Sequence, residues 1–160
     1  MNYTIREASA EDIPQVLQLI KELAAFEKEA NAVSVTAADL IRDGFGPNKL
    51  FQCFVGETST NVIGGMALVY PRYSTWKGPV IHLEDLIVTE KLRGSGLGNA
   101  LLSKVVQYGY QLGVKRISWE VLDWNEPAIS FYERKGAKVM RDWDVVQLDE
   151  EGIKNFIDKL

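Results

Sequence analysis

The stretch "EKLRGSGLGNALLSKVVQYG" (Glu90–Gly109) passes from charged residues through closely spaced glycines into an apolar helical pattern. Gly94, Gly96 and Gly98 each cost conformational entropy on folding, a cost tolerated where backbone must approach a partner closely. At the start of a helix that partner is commonly phosphate, because first-turn N–H groups lack intrahelical acceptors and the macrodipole favours anions. Spacing separates the known designs. A P-loop ends in glycine-lysine-serine/threonine, and Gly98 is followed by Asn99. A dinucleotide fingerprint counted from Gly94 and Gly96 needs a third glycine where Asn99 stands. What is left is R-x-x-G-x-G, met by Arg93, Gly96 and Gly98, with Ser95 between them. The competing reading is a glycine-rich turn that only ends a strand.

Composition bounds the partner. The 160 residues suit one domain, and 46% apolar with 25% charged residues is an ordinary globular balance. A formal net charge of -4 with no basic run weighs against nucleic acid and membrane surfaces and favours small cations. Cys53 is the sole cysteine, so no intrachain disulfide forms and a reducing, cytoplasmic setting is expected. "MNYTIREASAED" has no apolar leader core, and no run of about 18 apolar residues occurs.

Periodicity predicts the order strand, two helices, three strands, helix, strand, helix, strand. "YTIRE" alternates as a first strand. Ile13, Val16, Leu17, Ile20 and Ala24 share one helical face, with Ser9 or Asp12 as cap and Pro14 favouring the later start. "TAADLIRDG" is a second helix, with Thr36 and Asp39 at capping-box spacing and Gly44 placed to end it. "LFQCFVGE" and "NVIGGMALVY" read as strands joined by "TSTN", and "VIHLEDLIV" runs into the glycine corner. The following helix is predicted to bury Leu97, Leu101, Val105, Tyr108 and Leu112 and to stop at Gly113. "KRISWEVL" is another strand. "NEPAISFYERKG" is a helix capped by Asn125, with Pro127 in its first turn and Gly136 closing it. "AKVMRDWDVVQL" is predicted as a last strand and "DEEGIKNFIDKL" as a terminal helix. The expectation is one α+β domain, residues 1–160, around a mixed sheet.

"IKELAAFEKE", "DGFG", "YSTWKG", "LEDLIV", "RGSGLG" and "LDWNEPAISFYERKGA" resemble successive blocks of the GNAT N-acetyltransferases. Within that family they resemble the diamine (spermidine/spermine) acetyltransferases and the related thialysine N-epsilon acetyltransferases. "YSTWKG" and "VLDWN" lean toward the thialysine type, and "NEPAISFY" toward the polyamine type. The resemblance implies a mixed, mostly antiparallel sheet with a splayed central strand pair and flanking helices. It also implies acetyl-CoA as cosubstrate, no metal, a small primary amine as acceptor, and a homodimer. Two other readings are a CoA-binding sensor without turnover and a protein lysine or N-terminal acetyltransferase.

Acetyl transfer to an amine needs a neutral nucleophile, a polarised carbonyl and a stabilised leaving thiolate. The resemblance makes Tyr132 the acid beside the CoA sulfur; its other reading is a helix tyrosine packed on a sheet. Glu84 is the candidate base, relaying the amine proton through water, and Asp85 would help hold the cation. Adjacent carboxylates in an apolar strand are costly without a cavity or partner, and in a regular strand they point to opposite faces. The family pattern implies a bulge that brings both to the cleft. His82 shares Glu84's face by alternation, and a structural role suits it better than that of a second base. By the same resemblance, main-chain groups of Leu86, Ile87 and Val88 pair with the pantetheine arm. The amides of Gly94, Ser95, Gly96, Leu97, Gly98 and Asn99, beside Arg93, take the pyrophosphate. Asn125 and Ala128 touch the cofactor's far side, and Lys135 or Arg134 reaches a nucleotide phosphate or else decorates a solvated helix end. Phe26, Glu27, Trp76, Ser118, Trp119, Glu120, Asp142 and Trp143 match acceptor-lining segments. Trp76 and Trp143 stack on an amine or anchor an interface. Ser74 stands where the polyamine branch carries an acidic residue, and Arg141 adds positive charge near Trp143. Both changes favour a short or lysine-like acceptor, whose carboxylate Arg141 is placed to meet.

Overall fold

A computed structural model describes residues 2–160, which fall into two compact units, the first ending at Glu120 and the second running from Val121 to Leu160. The first holds a five-stranded sheet in the order β1-β2-β3-β4-β5. Its strands are β1 (Tyr3–Glu7), β2 (Gln52–Thr58), β3 (Ile63–Ser74), β4 (Gly78–Val88) and β5 (Ile117–Ser118). The first four pair antiparallel, and β5 adds a parallel neighbour to β4.

Helix α1 (Ile13–Phe26) starts where Pro14 predicts, after a 3-10 turn over Ala10–Asp12. Its buried Ile13, Val16 and Leu19 pack with Leu40, Cys53, Val55, Met66, Leu68 and Ile87 on one side of the sheet. Leu19 joins the expected stripe as a buried member, while Leu17, Ile20 and Ala24 are partly buried. Burial pushes the Cys53 thiol up to about 12, so it is an inert core group. Helix α2 (Ala37–Phe45) has the expected capping box, Thr36 Oγ1 accepting from Asp39 N and Asp39 Oδ2 accepting from Thr36 N. Gly44 does not end it. The helix runs one residue further and Gly46 is the cap, because Gly44 lies against the Phe51 ring, where a Cβ would collide.

Helix α3 (Leu97–Gln111) buries Leu97, Leu101, Leu102 and Val105. Close approach fixes its seat: a Cβ on Gly56 would strike the Leu97 side chain, and one on Gly65 would come within 3.1 Å of Leu101. Tyr108 meets Phe54 edge-on at 5.3 Å. Leu112 is exposed, contrary to expectation, because it follows the last helical residue and leaves the buried stripe, which ends at Gly109. Gly113 then reverses the chain at φ 71°.

The second unit contains α4 (Glu126–Glu133) and α5 (Glu150–Ile157). Asn125 Oδ1 caps α4 by accepting from Ala128 N at 3.4 Å, and Gly136 follows at φ 88°. The strand expected at "AKVMRDWDVVQL" is absent. Alternation gives a segment strand propensity, but a strand exists only through paired backbone, and no residue of this stretch joins a ladder among the described residues. Ala137 and Val139 are partly buried, but Met140, Trp143, Val145, Val146 and Leu148 are exposed, Val146 at 92%. "KRISWEVL" likewise pairs only at Ile117 and Ser118. No helix is long and apolar enough to cross a membrane among the described residues.

One buried charge ties β1 to the entry of α1. Asp12 is 7% exposed and accepts from Arg6 Nη1 at 2.7 Å, Arg6 Nη2 at 2.9 Å and Ser9 N at 2.7 Å. The guanidinium holds its carboxyl down at about 2. A depressed carboxyl contributes stability that is present above its unfolded value near 3.8 and lost as pH falls through about 2. Asp12→Asn is therefore expected to lower stability by on the order of 2 kcal/mol at pH 7, discounted for Arg6's partial exposure. Denaturant titrations should show that deficit shrinking as pH drops below about 4.

Candidate active site

The site is built where β4 departs from regular pairing. Val69 faces Leu83 but Leu68 faces Asp85, so Glu84 is an extra residue bulged out of the β3–β4 ladder. A bulge puts consecutive side chains on one face. Tyr70 pairs with His82 and Leu68 with Asp85, so His82, Glu84 and Asp85 lie on the face that α1 covers. On its other side β4 meets β5 only at Ile81 and His82. From Leu83 to Val88 no strand pairs with that edge among the described residues. Splaying here arises because the parallel ladder stops at the bulge.

The carboxylates crowd one another. Desolvation, then the charges of Glu84 and Glu27, push the half-buried Asp85 up to about 6. Desolvation also raises Glu27, at the end of α1. Glu84 keeps a half-exposed side chain. Its Oε2 lies 3.7 Å from His82 Nε2, and burial, then the charge of Glu84, holds the Tyr70 phenol above its usual value. His82 is 6% exposed; its Nδ1 lies 3.4 Å from Arg72 Nη1 and 3.2 Å from Ser118 Oγ. A guanidinium only donates, so Nδ1 is the acceptor and the ring proton sits on Nε2, facing Glu84. Burial lowers the imidazole's pKa and keeps it neutral, in spite of the nearby Glu84 and Glu120. Tyr70 and Arg72 were not legible as part of this cluster; only the hairpin register, which sets Tyr70 opposite His82, brings them in.

Beyond β4 the chain makes a 3-10 turn over Glu90–Leu92 and enters the glycine corner. Gly94 and Gly96 have φ 77° and 88°, the left-handed region that favours glycine. Gly96 caps α3 without a side chain, so first-turn amides of α3 face outward, and a Cβ on Gly94 would meet nothing within 4 Å. Such a cradle of amides suits a pyrophosphate. Arg93 turns away from it: Nε donates to the Val88 carbonyl at 3.3 Å and the guanidinium covers the Phe26 ring at 5.1 Å. Glu22 Oε1 accepts from Glu90 N at 2.9 Å. These contacts lock the end of α1, with Phe26 and Glu27, to the corner.

Other expected residues are placed differently. Trp76 is exposed at the β3–β4 hairpin tip, its N–H bonded to Ser74 Oγ at 3.2 Å. Six residue steps along the strand separate Gly78 from Glu84, roughly 20 Å, so Trp76 is not part of the carboxylate cluster. Ser118 belongs to that cluster through His82. In the second unit Asn125 spends its side-chain oxygen on the Ala128 amide, and Lys135 Nζ lies 6.0 Å from the centre of the Phe131 ring. Tyr132 is half-buried on α4, 5.4 Å from Phe131 between ring centres. Asp142 and Trp143 are exposed.

A bulged carboxylate pair, a strand edge left open and a glycine corner opening a helix thus follow one another along β4 and into α3. The Acetyltransferase (GNAT) family model matches residues 16–137, and the chain belongs to that family; it is an acyltransferase. Over 141 residues it is 40% identical to the Homo sapiens spermidine/spermine N(1)-acetyltransferase-like protein 1, an alignment covering 84% of this chain but 20% of that protein. Over 165 residues it is 34% identical to the thialysine N-epsilon-acetyltransferase of Sus scrofa, covering 97% of each. An integron cassette protein from the mobile metagenome of V. cholerae has the same fold, with TM-score 0.80 and 18% identity over 98% of each chain.

Asp85's desolvation has a folding consequence. A carboxyl raised to about 6 favours the folded state below its unfolded value near 3.8 and loses that contribution as pH rises through about 6. Ionised Asp85 therefore opposes folding by at most about 3 kcal/mol at pH 8. Asp85→Asn is expected to raise the melting temperature at pH 8 and to match the parent near pH 4. A lower melting temperature at pH 8 would show that Asp85 stabilises the fold.

Proposed function

We propose that the chain transfers an acetyl group from acetyl-CoA to a primary amine of a small diamine, polyamine or lysine-like amino acid. The observation that carries this reading is the bulge at Glu84 beside the unpaired edge of β4. An extended pantetheine arm pairs with main-chain groups of Leu86, Ile87 and Val88 as an added strand does. Amides from Gly94 to Asn99 hold the pyrophosphate. The names of the curated relatives, a spermidine/spermine N(1)-acetyltransferase-like protein and a thialysine N-epsilon-acetyltransferase, support the acceptor class.

The acceptor arrives as an ammonium of pKa ~10.4, so its deprotonation at pH 7 costs roughly 4–5 kcal/mol. Asp85 and Glu27 draw the cation in, and Glu84 relays its proton to solvent through water. Neutral nitrogen then attacks the thioester carbonyl; the C–N bond forms, the C–S bond breaks, Tyr132 gives its phenolic proton to the leaving thiolate, and the proton that the acylated nitrogen sheds returns through water to the Tyr132 phenolate. Glu84 has His82 Nε2 3.7 Å away and Tyr70 nearby, and this setting orients it for the task. Asn125, Ala128 and Lys135 act toward the cofactor, and Phe26, Trp119, Glu120, Asp142 and Trp143 toward the acceptor, as the family resemblance implies. The chain works as one acetyltransferase domain, in the cytoplasm, and as a homodimer. Exposed apolar residues between Trp143 and Leu160 support the last point, since a second copy offers them cover.

Thiol release from acetyl-CoA, followed across spermidine, spermine, putrescine, thialysine, ornithine and lysine, tests the reading. Turnover is expected with thialysine or a short diamine at least as efficiently as with spermine. Tyr132→Phe should lower kcat about 10²-fold with CoA affinity nearly intact. No turnover with any amine overturns the proposal.

A further inference from the structure

We infer that Arg72 receives the carboxylate of the acceptor, which makes this site selective for an amino acid bearing a terminal amine over a diamine of equal length. The inference rests on the acceptor amine being delivered to Glu84, as proposed above.

Arg72 lies on the long β3–β4 hairpin, on the same face as Tyr70 and His82. Its side chain is exposed, and no carboxylate among the described residues lies within ion-pair distance of it. That is unusual company for an arginine, because Glu84 and Glu120 are both close enough to influence His82 and Tyr70. Instead Arg72 Nη1 is held by the neutral Nδ1 of His82 at 3.4 Å. This single contact leaves most of its five N–H donors facing solvent.

Distance makes the pairing with Glu84 specific. His82 bridges the two groups, with Arg72 at Nδ1 and Glu84 Oε2 3.7 Å from Nε2. Guanidinium and carboxylate are thus at most about 9 Å apart, the two contacts and one imidazole between them. In an extended lysine-sized chain six bonds separate the terminal nitrogen from the carboxylate carbon, about 7 Å at ~1.2 Å of advance per bond. Such a molecule lies across the buried His82 with its ammonium at Glu84 and its carboxylate at Arg72. Tyr70, paired with His82 at 5.2 Å between rings, gives its methylenes an aromatic floor. A diamine of the same length puts an ammonium against the guanidinium instead, and like charges repel. This reassigns to Arg72 the carboxylate contact expected of Arg141.

The test compares matched acceptors on one enzyme preparation: lysine against 1,5-diaminopentane, and ornithine against 1,4-diaminobutane. Because each ratio is internal to a variant, any effect of Arg72 on His82 or on folding cancels. In Arg72→Gln the KM of the amino acid should rise about tenfold or more, the size of a charge-assisted hydrogen bond, relative to its diamine. Arg72→Glu should invert the preference. An unchanged ratio in both variants while diamines are still acetylated overturns the assignment to Arg72 and leaves the acetyltransferase reading standing. A ratio that moves in Arg141→Gln and not in Arg72→Gln also overturns it. Absence of turnover with every acceptor defeats the acetyltransferase reading itself, and this inference falls with it.

Discussion

The parallel ladder between β4 and β5 is two residues long, Ile81 to Ile117 and His82 to Ser118, and the proposed chemistry depends on where it ends. Had β5 continued alongside β4, the N–H and C=O groups from Leu83 to Val88 would be spent on a neighbour. Instead the ladder ends next to the residue at which β4 bulges against β3. One irregularity therefore does two things: it turns Glu84 and Asp85 to a common face, and it accompanies an edge with main-chain groups to offer. Open edges invite pairing with other chains, and a cosubstrate that adds as a strand meets the same need.

Electrostatics follows from that geometry. Two neighbouring carboxylates on a face already packed by α1 lose solvation, and Glu27 adds a third. The chain tolerates this strain because it is offset elsewhere, by the pairing of buried Asp12 with Arg6 at the α1 entry and by the apolar layers on both sides of the sheet. The groups that oppose folding are those for which a role toward an ammonium is proposed. His82 belongs to neither set: neutral and buried, it transmits order from Arg72 and Ser118 to Glu84.

Local signals in the chain were legible where the structure is made locally. Pro14 dates the start of α1, Thr36 and Asp39 close a capping box, Asn125 caps α4, and Gly94 and Gly96 adopt the left-handed backbone that only a glycine corner explains. Features set by pairing were not. "AKVMRDWDVVQL" alternates as a strand does, yet propensity alone supplies no partner backbone. The membership of Tyr70 and Arg72 in the carboxylate cluster depends on hairpin register, which a one-residue bulge resets. Gly44 misled because glycine near a helix end reads as a stop, whereas here its missing side chain makes room for Phe51.

The central claim is that the outer edge of β4 is the cosubstrate's docking strand. Amide hydrogen exchange across Leu86–Val88, with and without acetyl-CoA, measures it directly. The account predicts that amides of this segment facing away from β3 become strongly protected on acetyl-CoA addition, together with those from Gly96 to Asn99, and are unmoved by an amine alone. Protection at the glycine corner with no change along β4, or binding with protection at neither, would contradict it.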